Sequence, residues 1–394
     1  MQNCIYLVMI KRTIENKALH LSNKYPVITI TGPRQSGKTT LVQSVFRDHS
    51  YYTLENPETR AVIQNDPQGF FQTHLSKKLI IDEIQYIPEL LSYIQVISDE
   101  KKIQGQFILT GSQSLILSEK ISQTLAGRTA ILKLLPFSMQ ELNHIKKYKH
   151  SDFEEWIFRG FYPRIYDQDI DPESFYPFYF ETYVQRDVRQ IQNIRDLTLF
   201  SNFVRLCAGR IGQLLDYSSL ANDTGVSVNT IKGWLAVLEA SFVIFLLHPY
   251  YRNFNKRMIK SPKLYFTDTG LASFLLNIKN SEQIKSHYLK GGLFENLIII
   301  ELLKQRYNQA ETSNLWFFRD NNRNEIDCIL EDVQLKALEI KSARTFTNSF
   351  TKGLEFLIKH ANLKPENGYI IYGGDKSFQY KMKKVLSWRY LNEV

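Results

Sequence analysis

Apolar residues in the first third of the chain fall into short unbroken runs at 25–31, 78–82, 106–111 and 129–134, each too short for a helix and bounded by polar turns. With a further strand at 50–55, these runs alternate with helical stretches at 38–47 and 88–100. That rhythm predicts an α/β fold, a parallel sheet with helices on both faces. After Pro136 and Phe137 the pattern changes to aromatic-rich helical segments, which sets a boundary near residue 145. Residues 216–241 predict a short helix beginning at serine, a turn at Gly225 and a second helix capped by Ser227, with Ile231, Leu235 and Leu238 on its apolar face. Further on, an apolar helix at 293–303 precedes two alternating strands, 324–330 and 337–341, joined by a polar turn near Glu331 and Asp332. Three domains are expected, residues 1–145, 146–280 and 281–394.

The run at 25–31 opens into Gly32-Pro33-Arg34-Gln35-Ser36-Gly37-Lys38-Thr39, the phosphate-loop spacing G-x-x-x-x-G-K-[ST]. Gly32 and Gly37 allow the backbone to fold around an anion, so that amide N–H groups and the next helix's N-terminus point at the α- and β-phosphates. Lys38 would reach the β- and γ-phosphates, and Thr39 would hold Mg²⁺ through its hydroxyl. The expected ATP-contacting set is therefore Gly32, Pro33, Arg34, Gln35, Ser36, Gly37, Lys38, Thr39 and Thr40, joined by Ser112 just past the run at 106–111. The run at 78–82 ends in Asp82 and Glu83. Asp82 would bind the Mg²⁺ shell, and Glu83 would act as base or orienter for an attacking water. The strand carrying Thr110, Ser112 and Gln113 is expected between the loop strand and the Asp82 strand, where a γ-phosphate could be sensed. Arg128 is a candidate arginine finger for a neighbouring site, its alternative a solvated arginine ahead of a strand.

In the second half, Ser227, Asn229, Thr230 and Lys232 at the start of the second helix would face the major groove in a DNA reader, although such units also serve in protein packing. Strand alternation sets Glu339 and Lys341 on one face, where Asp327 could join Glu339 in holding a divalent metal while Lys341 activates water for phosphodiester attack. Glu295, on the apolar helix, could complete the set. Glu295, Asp327, Glu339 and Lys341 resemble in order and strand context the D…ExK nuclease pattern.

Composition narrows the classes. With 394 residues, 43% hydrophobic and 23% charged, the chain is globular and too long for one ordinary core. No run approaches the roughly 18 apolar residues of a membrane span. The opening apolar stretch from Ile5 to Ile10 meets Lys11 and Arg12 on the wrong side for a signal peptide. Cys4, Cys207 and Cys328 are isolated in sequence, which suits a reducing cytoplasm. The net charge of +9 permits an acidic partner such as DNA without requiring one.

The loop, the Asp82-Glu83 strand, Arg159-Gly160-Phe161-Tyr162-Pro163 and Glu181-Thr182-Tyr183-Val184-Gln185-Arg186-Asp187-Val188 together resemble the prokaryotic AAA-type P-loop ATPases that carry a C-terminal domain of uncharacterised function. The resemblance covers nearly the whole chain. It implies an ATPase core, a helical and winged-helix middle and a tail similar to restriction-endonuclease folds. The leading expectation is a cytoplasmic, Mg²⁺-dependent ATPase coupled to a DNA-associated winged-helix and nuclease-like tail. Two alternatives stay open: a metal-dependent DNA nuclease gated by ATP, and a non-catalytic nucleotide-gated switch for a protein client. Arg128 or Arg186 as a finger would imply an oligomer.

Overall fold

The structure, a computed structural model, describes residues 10–112, 121, 123–148, 150–184, 196–250, 260–360 and 363–394. Cys4, Gln113 and the signature residues Gln185, Arg186, Asp187 and Val188 lie outside them.

Five parallel strands, β1 (Val27–Thr31), β2 (Ser50–Thr53), β3 (Leu79–Asp82), β4 (Phe107–Gly111) and β5 (Thr129–Lys133), form the first sheet in the order β2-β3-β4-β1-β5. β4 thus lies between the loop strand and the Asp82 strand, as expected from the sequence. Because side chains alternate along a strand, each apolar run feeds two cores. Ile28, Ile30, Ile80 and Ile108 meet the helix Lys38–Val45, whereas Val27, Leu79, Ile81 and Leu109 meet the helix Leu90–Lys101. This double burial explains why the runs are uninterrupted.

The middle region is helical. It includes the pair Tyr217–Thr224 and Val228–Ala240, followed by antiparallel β6 (Ile244–Leu247) and β7 (Lys263–Phe266). Asp216, not a serine, caps the first of these helices, accepting from the N–H groups of Ser218 at 2.9 Å and Ser219 at 3.0 Å. Gly225 ends it at φ +76°, and Ser227 caps the second.

The tail begins with the helix Lys290–Asn308 and forms a separate mixed sheet from β8 (Leu315–Arg319), β9 (Glu325–Glu331), β10 (Leu335–Lys341), β11 (Gly368–Tyr372), β12 (Phe378–Tyr380) and β13 (Lys383–Ser387), in the order β12-β13-β11-β10-β9-β8. Strands β8, β9 and β10 form an antiparallel meander, and β11 runs parallel to β10 after the crossover helix Lys352–His360. Residues 248–250, just beyond β6, bond to Phe317 of β8, so the two-stranded sheet is tied to the tail.

The helix Lys290–Asn308 is buried on nearly every side, and its apolar residues share one core with Phe137, Trp156, Phe161, Tyr265 and Trp388. Gly160 anchors this junction at φ +66°, where a Cβ would collide with the Tyr176 hydroxyl and with Asp268 Oδ1. The next residue explains the crowding: Phe161 N–H and the Tyr176 hydroxyl both donate to Asp268, each at 2.7 Å. Replacing Gly160→Ala should cost about 2–4 kcal/mol, from left-handed strain plus overpacking. Urea unfolding of the variant beside wild type measures that loss.

Candidate functional site

The phosphate loop leaves β1 at Thr31 and enters the helix Lys38–Val45 through Gly37, whose φ of +92° follows Gln35 at +59°. Two left-handed turns so close together bring successive N–H groups round to one side, the geometry of an anion nest. Gly32 allows a second close approach, since a Cβ there would collide with the Leu134 carbonyl oxygen. Lys38 Nζ bends back over the loop and donates to the carbonyls of Gly32 at 3.0 Å and Pro33 at 2.9 Å. The Ser36 hydroxyl is buried and has no hydrogen-bond partner among the described residues, a donor suited to an incoming oxyanion. Arg34, its side chain largely buried, reaches Glu55 3.7 Å away, and Thr40 faces a cavity beside the loop.

Asp82 ends β3 and is fixed from both neighbouring strands. Tyr51 of β2 donates to Oδ2 at 2.7 Å, Thr110 of β4 donates to Oδ1, and Thr39 of the loop helix donates to Oδ2 at 3.0 Å. Half-burial and the adjacent carboxylate push the Tyr51 phenol well above its usual pKa, which keeps it a donor. The Thr39 hydroxyl and the Asp82 carboxylate form an all-oxygen pair that fits Mg²⁺, whose remaining positions commonly go to water and phosphate. Glu83 follows at φ +59°, an uncommon conformation for a residue with a Cβ. Its N–H donates to Thr110 Oγ1 at 3.1 Å, and its carboxylate accepts from Ser112 Oγ at 3.1 Å and from Gln85 Nε2.

A cavity of about 370 Å³ adjoins the loop, lined by Arg12, Gly37, Thr40, Leu41, Phe137 and Pro163 among others. Arg12, Tyr51, Gln85 and Phe137 escaped the sequence reading as site residues. Only Gln85, two positions past Glu83, carried a local signal; the others come from separate elements.

Arg128 is elsewhere. Its carbonyl accepts from Val27 N–H at the start of β1, and its guanidinium pairs with Asp99 at 2.6 Å. In a parallel sheet, residues ahead of one strand meet residues ahead of the next, so Arg128 sits a strand length, about 17 Å, from its own loop. It does not belong to this site.

The tail holds a second charged cluster. Lys341 Nζ lies 2.7 Å from Asp327 Oδ2 and 2.6 Å from Glu339 Oε2. One ammonium serves two carboxylates, and they divide unequally. Burial opposes the charge on Asp327, yet Lys341, Lys263 and the Ile340 N–H outweigh it and hold that carboxyl below its usual range. Burial and the neighbouring Asp327 charge instead push Glu339 up to about 8. Glu295 stands beside this cluster, near enough for the Asp327 charge to oppose its own, and its direct partners are on β7: it accepts from Lys263 Nζ at 3.0 Å and the Tyr265 hydroxyl at 2.6 Å, and Lys263 also pairs with Glu325 at 2.6 Å. Among the described residues, no three His, Cys, Asp or Glu side chains are grouped to hold a metal. Direct contacts therefore join Asp327, Glu339 and Lys341, with Glu295 alongside them on Lys263.

At the helix pair, Ser227, Asn229 and Lys232 are exposed, and Ile231, Trp234, Leu235 and Leu238 point inward.

Comparison with known proteins fits the first of these sites. Residues 24–143 match the family model described as AAA domain. The chain carries an AAA-type P-loop domain. Residues 150–282 match a domain of unknown function (DUF8612), and residues 290–391 match a second one (DUF4143). An uncharacterised protein of Mycobacterium tuberculosis is 28% identical over 366 residues, 92% of this chain and 79% of its own length. An uncharacterised protein of Methanocaldococcus jannaschii is 26% identical over 407 residues, 94% of this chain and 86% of its own. Among solved structures, the Walker-type ATPase of Pyrococcus abyssi is similar with a TM-score of 0.45 and 15% identity, over 68% of this chain and 96% of that one. The AAA-type domain supports ATP binding and hydrolysis at the loop. No helix among the described residues is long and apolar enough to cross a membrane.

The unequal sharing of Lys341 has a pH signature. Glu339 holds its proton more tightly when folded, so between 4.5, the usual glutamate value, and about 8 the folded state binds the extra proton and loses stability as pH rises. Glu339→Gln should flatten that decline. Urea unfolding at about pH 5 and about pH 9, wild type beside variant, tests it.

Proposed function

We propose that this protein is a cytoplasmic, Mg²⁺-dependent ATPase whose nucleotide state is coupled to its middle and tail regions, acting on or near DNA. The observation that carries the catalytic part is the convergence of Thr39, Asp82 and Glu83 at the end of the phosphate loop. ATP would replace the Gly32 and Pro33 carbonyls as partners of Lys38 Nζ, which then draws the β- and γ-phosphates into the nest. Thr39 and Asp82 would hold Mg²⁺, which when bound neutralises phosphate charge. Glu83 would orient water in line with the γ-phosphate, with Ser112 and Gln85 fixing its carboxylate until then. The base and ribose would occupy the cavity between Leu41, Phe137 and Pro163, which makes the middle region a wall of the nucleotide site.

Association with DNA rests on the helix pair and its exposed Asn229 and Lys232, followed by the β6–β7 sheet in the manner of a winged helix. A second reading, an ATP-gated metal-dependent nuclease, is favoured by Lys341 bridging Asp327 and Glu339. The tail's order of helix, three-strand meander, crossover helix and parallel strand also resembles a restriction-endonuclease core. Asp327 and Glu339 would then hold a divalent metal, and Lys341 would orient the attacking water.

The deciding experiment follows Mg²⁺-dependent ATP turnover with and without duplex and single-stranded DNA while gels track the DNA. Lys38→Ala should abolish nucleotide binding, and Glu83→Gln should bind ATP normally yet turn over at least about 100-fold more slowly. Turnover retained in purified Glu83→Gln would remove Glu83 from its role, and DNA cutting lost in Glu339→Ala but kept in Lys38→Ala would favour the nuclease reading. Tyr51→Phe removes one donor from Asp82 and should weaken Mg²⁺ dependence of ATP binding by roughly tenfold, read from nucleotide titrations at stepped Mg²⁺.

A further inference from the structure

Arg12 lies ahead of the residues that match the AAA domain, yet it is buried against the phosphate loop. Its Nη1 donates to the Ser36 carbonyl at 2.8 Å, Nη2 to the Leu135 carbonyl at 2.7 Å and Nε to Glu141 Oε1 at 3.1 Å, while the guanidinium stands 4.8 Å from the centre of the Phe137 ring. The rigid fork of an arginine suits this task, since it fixes two backbone carbonyls and a carboxylate at once. Glu141 is itself immobilised, accepting from the N–H groups of Thr13 at 2.7 Å and Ser138 at 2.8 Å.

The far side of the same short segment belongs to the tail. Lys304 Nζ donates to the Phe137 carbonyl at 2.7 Å and to Glu301 Oε1 at 2.8 Å, and lies 3.7 Å from the Phe161 ring centre. Glu301 Oε2 accepts from Met139 N–H at 2.8 Å. Residues 137–139 are thus clamped between Arg12 on the loop side and the Glu301–Lys304 pair on the helix Lys290–Asn308. Both ion pairs are buried, where a partner lost leaves an uncompensated charge and each pair therefore has few alternative positions.

We infer that Arg12 is a positioning residue for ATP whose own placement depends on the tail helix, so that seating of Glu301 and Lys304 sets the affinity of a phosphate loop they never touch. The inference rests on the nucleotide-binding reading above. It makes the tail a regulator of the loop, and by thermodynamic reciprocity it makes bound ATP tighten the tail helix against residues 137–139.

The test is calorimetric titration of Mg·ATP into the full chain for wild type, Arg12→Lys, Lys304→Met, Glu301→Gln and the double variant Arg12→Lys/Lys304→Met, with thermal unfolding of each so that titrations are made well below its midpoint. Glu301→Gln keeps an acceptor for the Met139 N–H and serves if Lys304→Met folds poorly. Each single change should raise the dissociation constant for ATP roughly five- to tenfold, while Lys304→Met and Glu301→Gln keep turnover at saturating ATP within about twofold of wild type. The double variant should bind no more weakly than the worse single, because both changes break one chain of contacts. Unchanged affinity in folded Lys304→Met or Glu301→Gln, or effects that multiply in the double variant, would overturn the coupling. Wild type that binds no ATP is a different failure, that of the nucleotide reading itself.

Discussion

A helix buried on nearly every side has to satisfy whatever charges it carries, and Lys290–Asn308 carries Glu295, Glu301 and Lys304 into the interior. A buried ion is tolerated only with a partner and hydrogen bonds around it. Glu301 and Lys304 meet that demand with each other and with the backbone of residues 137–139, within the stretch that matches the AAA domain. Glu295 meets it about two turns earlier with Lys263 and Tyr265 of the middle region. The three regions are joined where this helix needs partners.

The same requirement links the two chemical clusters without merging them. Lys263 reaches Glu295 and also Glu325, two positions from Asp327 on β9, so the neutralisation of one network borders the other. Asp327 is held below its usual pKa and Glu339 is pushed above it, because one tail ammonium lies between two buried carboxylates. At the loop the economy differs. Asp82 is held by three hydroxyls, neutral donors that can orient a carboxylate without cancelling the charge a cation would use.

Legibility followed the distance in sequence over which a residue's role is decided. Gly32, Gly37, Lys38 and Thr39 act on one another within a single turn of chain, so their spacing carried their geometry. The position of Asp82 and Glu83 was legible because an unbroken apolar run marks a core strand of a parallel sheet, and they stand at its end. The helix pair at 217–240 was equally plain, although its first cap is Asp216 rather than a serine, both residue types being good caps. The partner of Arg128 was not legible, since Asp99 lies 29 positions earlier, at the end of the helix Leu90–Lys101. Nor were the partners of Glu295, Tyr265 on β7 lying about thirty residues away.

By itself, the sequence determined the α/β rhythm, the phosphate loop and the pairing of Asp327 with Glu339 and Lys341, because hydrophobic period and short spacing are local properties of the chain. Tertiary structure decided the rest. Tyr51 reaches Asp82 only because β2 neighbours β3, and Arg12 reaches Ser36 only because the chain ahead of β1 folds back on the loop. Lys304 meets Phe137 across 167 positions of sequence. Such contacts are chosen by which buried charges and donors find partners when whole elements pack, and no local pattern encodes that choice.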